Sequence, residues 1–174
     1  MKLYQIQKAS FPEVYRLMEE SFPPDEIRSY EGQRALLEEP RYQIYVPEGN
    51  IRAMMAVWHL DGFTFLEHFA VGAESRNSGV GSAMLQALRE MVQKDICLEA
   101  EPPETEITRR RVGFYARNGF SLQEYPYMQP ALGADRKPIM LVLMTTGGEK
   151  TRAQLDAIKA DLYRDVYHCV ASSP

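Results

Sequence analysis

The chain has little of what marks a disulfide-built, metal-built, membrane-spanning or nucleic-acid-coating protein. Two cysteines, Cys97 and Cys169, stand in 174 residues. They supply neither a disulfide framework nor a cluster of metal ligands. No stretch approaches the roughly 18 continuous apolar residues of a spanning helix. The opening Met1-Lys2-Leu3-Tyr4-Gln5-Ile6 carries no apolar leader. Positive charge is in deficit, with 20 Lys+Arg against 24 Asp+Glu and a net charge of −4. A face that coats nucleic acid needs the opposite balance. There is no internal repeat and no low-complexity segment. These absences lead us to expect a cytoplasmic, reducing location, no metal, no nucleic-acid partner and no membrane association. What remains is ordinary for one globular domain: 45% hydrophobic and 25% charged residues, in a chain long enough to bury a sizeable core.

The most informative segment is Phe69-Ala70-Val71 followed by Arg76-Asn77-Ser78-Gly79-Val80-Gly81-Ser82. An apolar strand runs into a short polar turn with two glycines, and a helix starts at once. Backbone N–H groups at a helix N-terminus have no intrahelical partner, and the helix dipole favours an anion beside them. Glycine removes the Cβ that would hold a phosphate off the backbone. A P-loop would need Lys after the second glycine, and here Ser82-Ala83 follow. A dinucleotide fingerprint would need a third glycine where Met84 stands. The pattern left is Arg-x-x-Gly-x-Gly.

The flanks define a unit. Phe63 to Val71 reads as a strand. Val80, Met84, Leu85, Leu88, Met91 and Val92 follow helical spacing, and Ile96 to Ala100 is a short buried strand. Strand, turn, helix, strand is a βαβ unit with parallel strands. Upstream, Leu3 to Ile6 is an edge strand, and Ser10 caps a helix with Pro12 in its first turn. A second helix spans about Ser29 to Glu39 with Leu36 and Leu37 inward. Strands 42–46 and 52–60 are joined by Pro47-Glu48-Gly49-Asn50, and Asp61-Gly62 turns the chain into the Phe63 strand. Downstream come a strand at 121–125, a loop over 126–137, a strand over 138–144 and a helix from Lys150 to about Cys169.

A second motif follows the loop. Phe114-Tyr115-Ala116-Arg117-Asn118-Gly119-Phe120 ends a helix on Asn-Gly before an apolar residue, which is ordinary capping chemistry. The Arg-x-x-Gly-x-Gly loop and the Phe-Tyr-x-x-x-Gly-Phe ending, in this order, resemble the GNAT superfamily of acyl-CoA-dependent N-acetyltransferases over roughly Ile51 to Met144. The resemblance implies an α/β fold: a mixed, mostly antiparallel central sheet flanked by helices. The GNAT domain is expected over 1–146, with a C-terminal helical extension over 147–174 packed on it.

The resemblance also implies roles. Phe69, Ala70 and Val71 would pair with the pantetheine arm of acetyl-CoA. Arg76, Asn77, Ser78, Gly79, Val80, Gly81 and Ser82 would hold its diphosphate. Tyr115 matches the tyrosine beside the thioester sulfur, a phenol able to protonate or stabilise a thiolate. The family commonly has Asn where Thr108 stands and Ala where Arg111 stands; the Thr108 hydroxyl would take over a coenzyme contact. The run Arg109-Arg110-Arg111 either faces the phosphates or is a solvated face balanced by Glu101, Glu104 and Glu106.

Glu67 is the candidate base. Strand alternation sets it on one face with Phe63, Phe65, Phe69 and Val71, and an apolar setting would raise its pKa. It is equally a salt-bridged strand residue. His68 is expected on the opposite face, diverging from Glu67. The acceptor, an amine of a small molecule or peptide, would meet the segment Phe22 to Tyr30, where Asp25 and Glu26 are either cation-attracting or capping residues, and the loop with Tyr125, Tyr127 and Gln129. The chain is then an N-acetyltransferase, monomer or homodimer. The alternatives are a coenzyme-sensing module without turnover and a transferase using aminoacyl-tRNA, against which the acidic balance speaks.

Overall fold

The computed structural model of the chain describes residues 1–169. The backbone divides into two compact units, residues 1–97 and 98–174. In the first, β1 (Leu3–Gln5), β2 (Tyr42–Pro47), β3 (Ala53–His59) and β4 (Thr64–Val71) pair in sequence order, each antiparallel to the next. The β2–β3 turn passes through Gly49 at φ 92°, a conformation that favours glycine. β5 (Ile96–Ala100) starts beside β4: the Thr64 N–H donates to the Asp95 carbonyl at 2.9 Å. The starts of the two strands are therefore level.

Three helices belong to this unit: α1 (Phe11–Ser21), α2 (Tyr30–Ala35) and α3 (Val80–Met91). α1 buries Phe11, Val14, Tyr15, Leu17 and Met18. Ser10 does not cap it with its side chain, because a 3-10 turn over Lys8–Ser10 leaves Ser10 in helical conformation. α2 is shorter than expected. Ser29 caps it through Gly32 N–H, and it tightens into a 3-10 turn at Leu36–Glu38. Leu36 and Leu37 are half-buried, and Gln33 is the inward residue, donating to the Tyr42 hydroxyl at 2.6 Å. α3 buries Met84, Leu85, Ala87 and Leu88, while Met91 is exposed. At about 2 kcal/mol for each large side chain, that face fixes where the N-terminus of α3 stands.

In the second unit, α4 (Glu106–Arg117) precedes β6 (Ser121–Leu122), β7 (Tyr127–Gln129), β8 (Ile139–Thr145) and α5 (Arg152–Asp161). The segment read as a loop over 126–137 begins as a strand. Tyr127, Met128 and Gln129 pair antiparallel with Leu141, Met140 and Ile139, so the loop proper starts at Pro130. α5 is followed by a π turn at Leu162–Val166 that buries Leu162, Tyr163 and Val166. Hydroxyl groups tie this extension down: Tyr125 donates to Asp156 at 2.7 Å, and Tyr163 donates to the Met128 carbonyl.

Candidate active site

The glycine loop is built as a bare helix start. After β4 the chain makes a 3-10 turn at Ala73–Ser75, then passes through Asn77 at φ 60° and Gly79 at φ 82°. Gly79 is the N-cap of α3, and no side chain caps that end. The first intrahelical bond is Ala83 N–H to Gly79 O at 3.0 Å. The N–H groups of Val80, Gly81 and Ser82 come before it and are left to a ligand or to water. A Cβ at Gly79 would meet nothing within 4 Å, so the space over the loop is open. Ser78 donates to Ser75 O at 2.6 Å, and Arg76 Nε to Val71 O at 3.1 Å, which holds the guanidinium against the end of β4. An open cradle of free amides with a cation beside it suits a diphosphate.

Glu67 is where strand alternation fails. The β3–β4 register runs Ala56↔His68 and then Val57↔Leu66, so Glu67 is an extra, unpaired residue at a bulge. Its carboxylate is 3% exposed and forms an ion pair with Arg28 at 2.5 Å, while Trp58 Nε1 donates to it at 2.9 Å. The raised pKa expected of it is overturned. Burial does push the carboxyl up, but Arg28, His68 and the Trp58 and Arg28 hydrogen bonds together hold it below its usual value.

The expected divergence of His68 is also overturned. The bulge brings its Nδ1 to 3.8 Å from Glu67 Oε2. Its Nε2 lies 2.8 Å from the Glu26 carbonyl, and its ring meets Phe22 edge-on at 5.1 Å. Nδ1 is buried and has no hydrogen-bond partner, a defect that ordinarily costs about 1–3 kcal/mol. Burial lowers the imidazole pKa, more than Glu67 and the Glu26 carbonyl raise it. Sequence reading missed Arg28 and Trp58, which lie 39 and 9 residues from Glu67 along the chain.

These shifts fix the sign of the pH dependence. Folded His68 titrates below 6.5, so between that lowered value and 6.5 the unfolded chain binds more protons and stability rises with pH. Glu67 adds stability that is present above 4.5 and is lost as pH falls through its lowered folded value. The melting temperature is expected to start falling near pH 6.5 on acidification, ahead of the carboxylate range. Half-buried His59 is shifted the same way. A thermal-melt pH series on His59→Gln/His68→Gln should therefore lose the upper limb, and its survival would contradict this account.

In the second unit Tyr115 is buried between Phe114 at 5.4 Å and Phe120 at 5.8 Å. Burial, partly opposed by Arg111, pushes its phenol up to about 12. Thr108, expected at the coenzyme, is used in a capping box. It donates its N–H to Thr105 Oγ1 at 3.1 Å and its hydroxyl to Thr105 O at 3.2 Å, and it accepts Thr105 N–H at 3.0 Å. The arginine run has local partners: Arg110 with Glu106 at 2.8 Å, Arg111 with Glu101, and Arg109 with the Glu104 carbonyl at 2.8 Å. This matches the solvated, balanced face. Among the described residues no group of three or more His, Cys, Asp or Glu is arranged for a metal, and no helix is long and apolar enough to cross a membrane.

Residues 40–122, which include the glycine loop and Tyr115, match the acetyltransferase (GNAT) domain family. A curated protein of Bacillus subtilis, "Putative acetyltransferase YjbC", is 28% identical over 149 residues, spanning 84% of this chain and 76% of that one. A solved structure titled "Putative acetyltransferase from GNAT family", from Bacteroides thetaiotaomicron, superposes with a TM-score of 0.85 at 29% identity, covering 96% of this chain and 98% of that one. A GNAT family acetyltransferase of Elizabethkingia anophelis, solved with acetyl-CoA bound, shares the fold at a TM-score of 0.59 and 16% identity over 83% of this chain and 96% of its own. This chain thus has the mixed α/β fold of the GNAT acetyltransferases, and its residues 40–122 match the acetyltransferase (GNAT) domain family.

Proposed function

We propose that the protein moves an acetyl group from acetyl-CoA to the amine of a small molecule or peptide. The observation that carries the reading is the uncapped start of α3 behind Asn77 and Gly79. Free amides at the end of a strand, with the helix dipole behind them, favour a diphosphate. In this reading Ser78 to Ser82 and Arg76 hold the diphosphate, and Phe69 to Val71 pair with the pantetheine amides. Tyr115, assigned from its match to the family motif, faces the leaving sulfur. A phenol raised to about 12 stands far above a thiol near 8.5. It therefore keeps its proton and stabilises the thiolate by donating a hydrogen bond. The acceptor amine must lose a proton before it attacks, and the buried group around Glu67 is assigned to that side of the reaction.

The test is thiol release with acetyl-CoA and a panel of amines, with calorimetry run in parallel. Wild type should turn over at least one primary amine. Tyr115→Phe should lower kcat by about 100-fold, the usual order for losing one hydrogen-bond donor to a developing anion, with coenzyme affinity retained. Tight binding with no turnover on any amine would favour a coenzyme sensor instead. No affinity for coenzyme A would end both readings.

A further inference from the structure

We infer that His68 Nδ1 is the proton acceptor for the incoming amine, with Glu67 as the residue that positions and charges it. The inference deepens the proposed transferase reaction and rests on it. His68 Nε2 faces the Glu26 main-chain oxygen at 2.8 Å. A carbonyl only accepts, so Nε2 carries the hydrogen and Nδ1 of the neutral ring is a bare lone pair. That lone pair is buried and unpartnered, and the atom before it is Glu67 Oε2 at 3.8 Å, a second acceptor. Two acceptors face each other with no donor between them. Their arrangement is completed by one proton.

That proton belongs on His68. Both Glu67 oxygens are already engaged, Oε1 by Arg28 at 2.5 Å and Oε2 by Trp58 at 2.9 Å, so protonating the carboxylate would undo its ion pair. On Nδ1 it creates an N–H facing a carboxylate that stays ionised. The charged groups acting on the ring are Glu67 from its own strand, which favours the imidazolium, and Arg28 from the segment before α2, which opposes it. The 24–26 turn presents a carbonyl, and Phe22 at the end of α1 presents a ring edge. The ring is therefore neutral at rest, as a base must be. The Glu67 side chain is 3% exposed while the residue as a whole is only partly buried, so its accessible part is the main chain at the bulge next to His68.

The step balances. An ammonium R–NH3+ gives one proton through a water to Nδ1. The free amine attacks the thioester carbonyl, the C–N bond forms and the C–S bond breaks. A second proton leaves nitrogen for the thiolate, giving the thiol, and the imidazolium returns its proton to solvent.

The inference is tested by pH–rate profiles and nitrogen NMR. With coenzyme saturating, wild-type kcat/KM for the amine should rise with pH through a group titrating below 6.5. His68→Gln, which keeps a donor for the Glu26 carbonyl, should lose that limb and about 100-fold in kcat, with coenzyme affinity unchanged. Glu67→Gln should move the limb to lower pH, because the charge favouring the imidazolium is gone. A purely structural role would not move these limbs. Independently of activity, long-range 1H–15N spectra of the folded wild type should show the Nε2–H tautomer with an unprotonated Nδ1. An Nδ1–H tautomer, or a His68→Gln enzyme with unchanged profile and kcat, overturns the inference. If His68→Gln does not fold, the wild-type spectrum decides. Failure of wild type to bind coenzyme or turn over any amine would instead bring down the transferase reading.

Discussion

Replacing Gly79 by valine is expected to weaken coenzyme A binding by about 30- to 100-fold in calorimetry, while the melting temperature falls by only a few degrees. Gly79 sits at φ +82°, where an L-residue pays roughly 1–2 kcal/mol, and a β-branched side chain is worse placed there. Nothing of the protein lies within 4 Å of a Cβ at this position, so the added methyl groups would occupy the open space over the free amides. Local strain and lost diphosphate contact both act on the bound state. Part of the strain would be relieved by relaxing the turn, which is the conformation that directs Val80, Gly81 and Ser82 N–H outward. Gly81→Val should weaken binding as well, since Gly81 stands in the first turn of α3. If both variants bind coenzyme A as wild type does, the loop is not the diphosphate site.

Arg28→Ala is expected to be strongly destabilising. It strands the Glu67 carboxylate, whose side chain is 3% exposed, without its counter-ion. Breaking one side of a buried pair costs about 3–5 kcal/mol, which for a chain of this size lowers the melting temperature by roughly 6–20 °C. The Glu67 pKa moves with it: one of the contributions that together offset burial is gone, so the carboxyl should titrate higher than in the wild type. Removing both charges, as Arg28→Met/Glu67→Leu, should cost much less than Arg28→Ala, because apolar groups of similar size remove the desolvation penalty together with the attraction. A loss below about 1 kcal/mol for Arg28→Ala would put the pair in the class of exposed ion pairs. It would also remove the basis for a lowered Glu67.

Much of the architecture was legible along the chain because its signals are local. The alternation of β2 and β3, the apolar stripe of α3 and the Gly49 turn each depend on residues a few positions apart. The arginine run could be paired with its glutamates because they share one helix and its approach. The segment over 126–137 was misread for a similar reason. Pro126, Pro130 and Gly133 dominate its composition, while the strand at Tyr127–Gln129 exists through its pairing with β8, ten to fourteen residues away. Thr108 was assigned to the coenzyme from a family position. In the fold it is the third residue of α4, and its hydroxyl closes the capping box.

The sequence by itself determined the order of the elements, the βαβ unit and the glycine loop, because glycine and helix-start chemistry act over one or two turns of chain. Only the tertiary structure decided what Glu67 and His68 are. Period-two alternation sends neighbouring side chains to opposite faces, and one inserted residue between Ala56 and Val57 of the partner register cancels that rule. Arg28 then reaches the carboxylate from 39 residues away. A pKa is set by what stands within a few ångströms, and neither the bulge nor that arginine is encoded in the residues around Glu67.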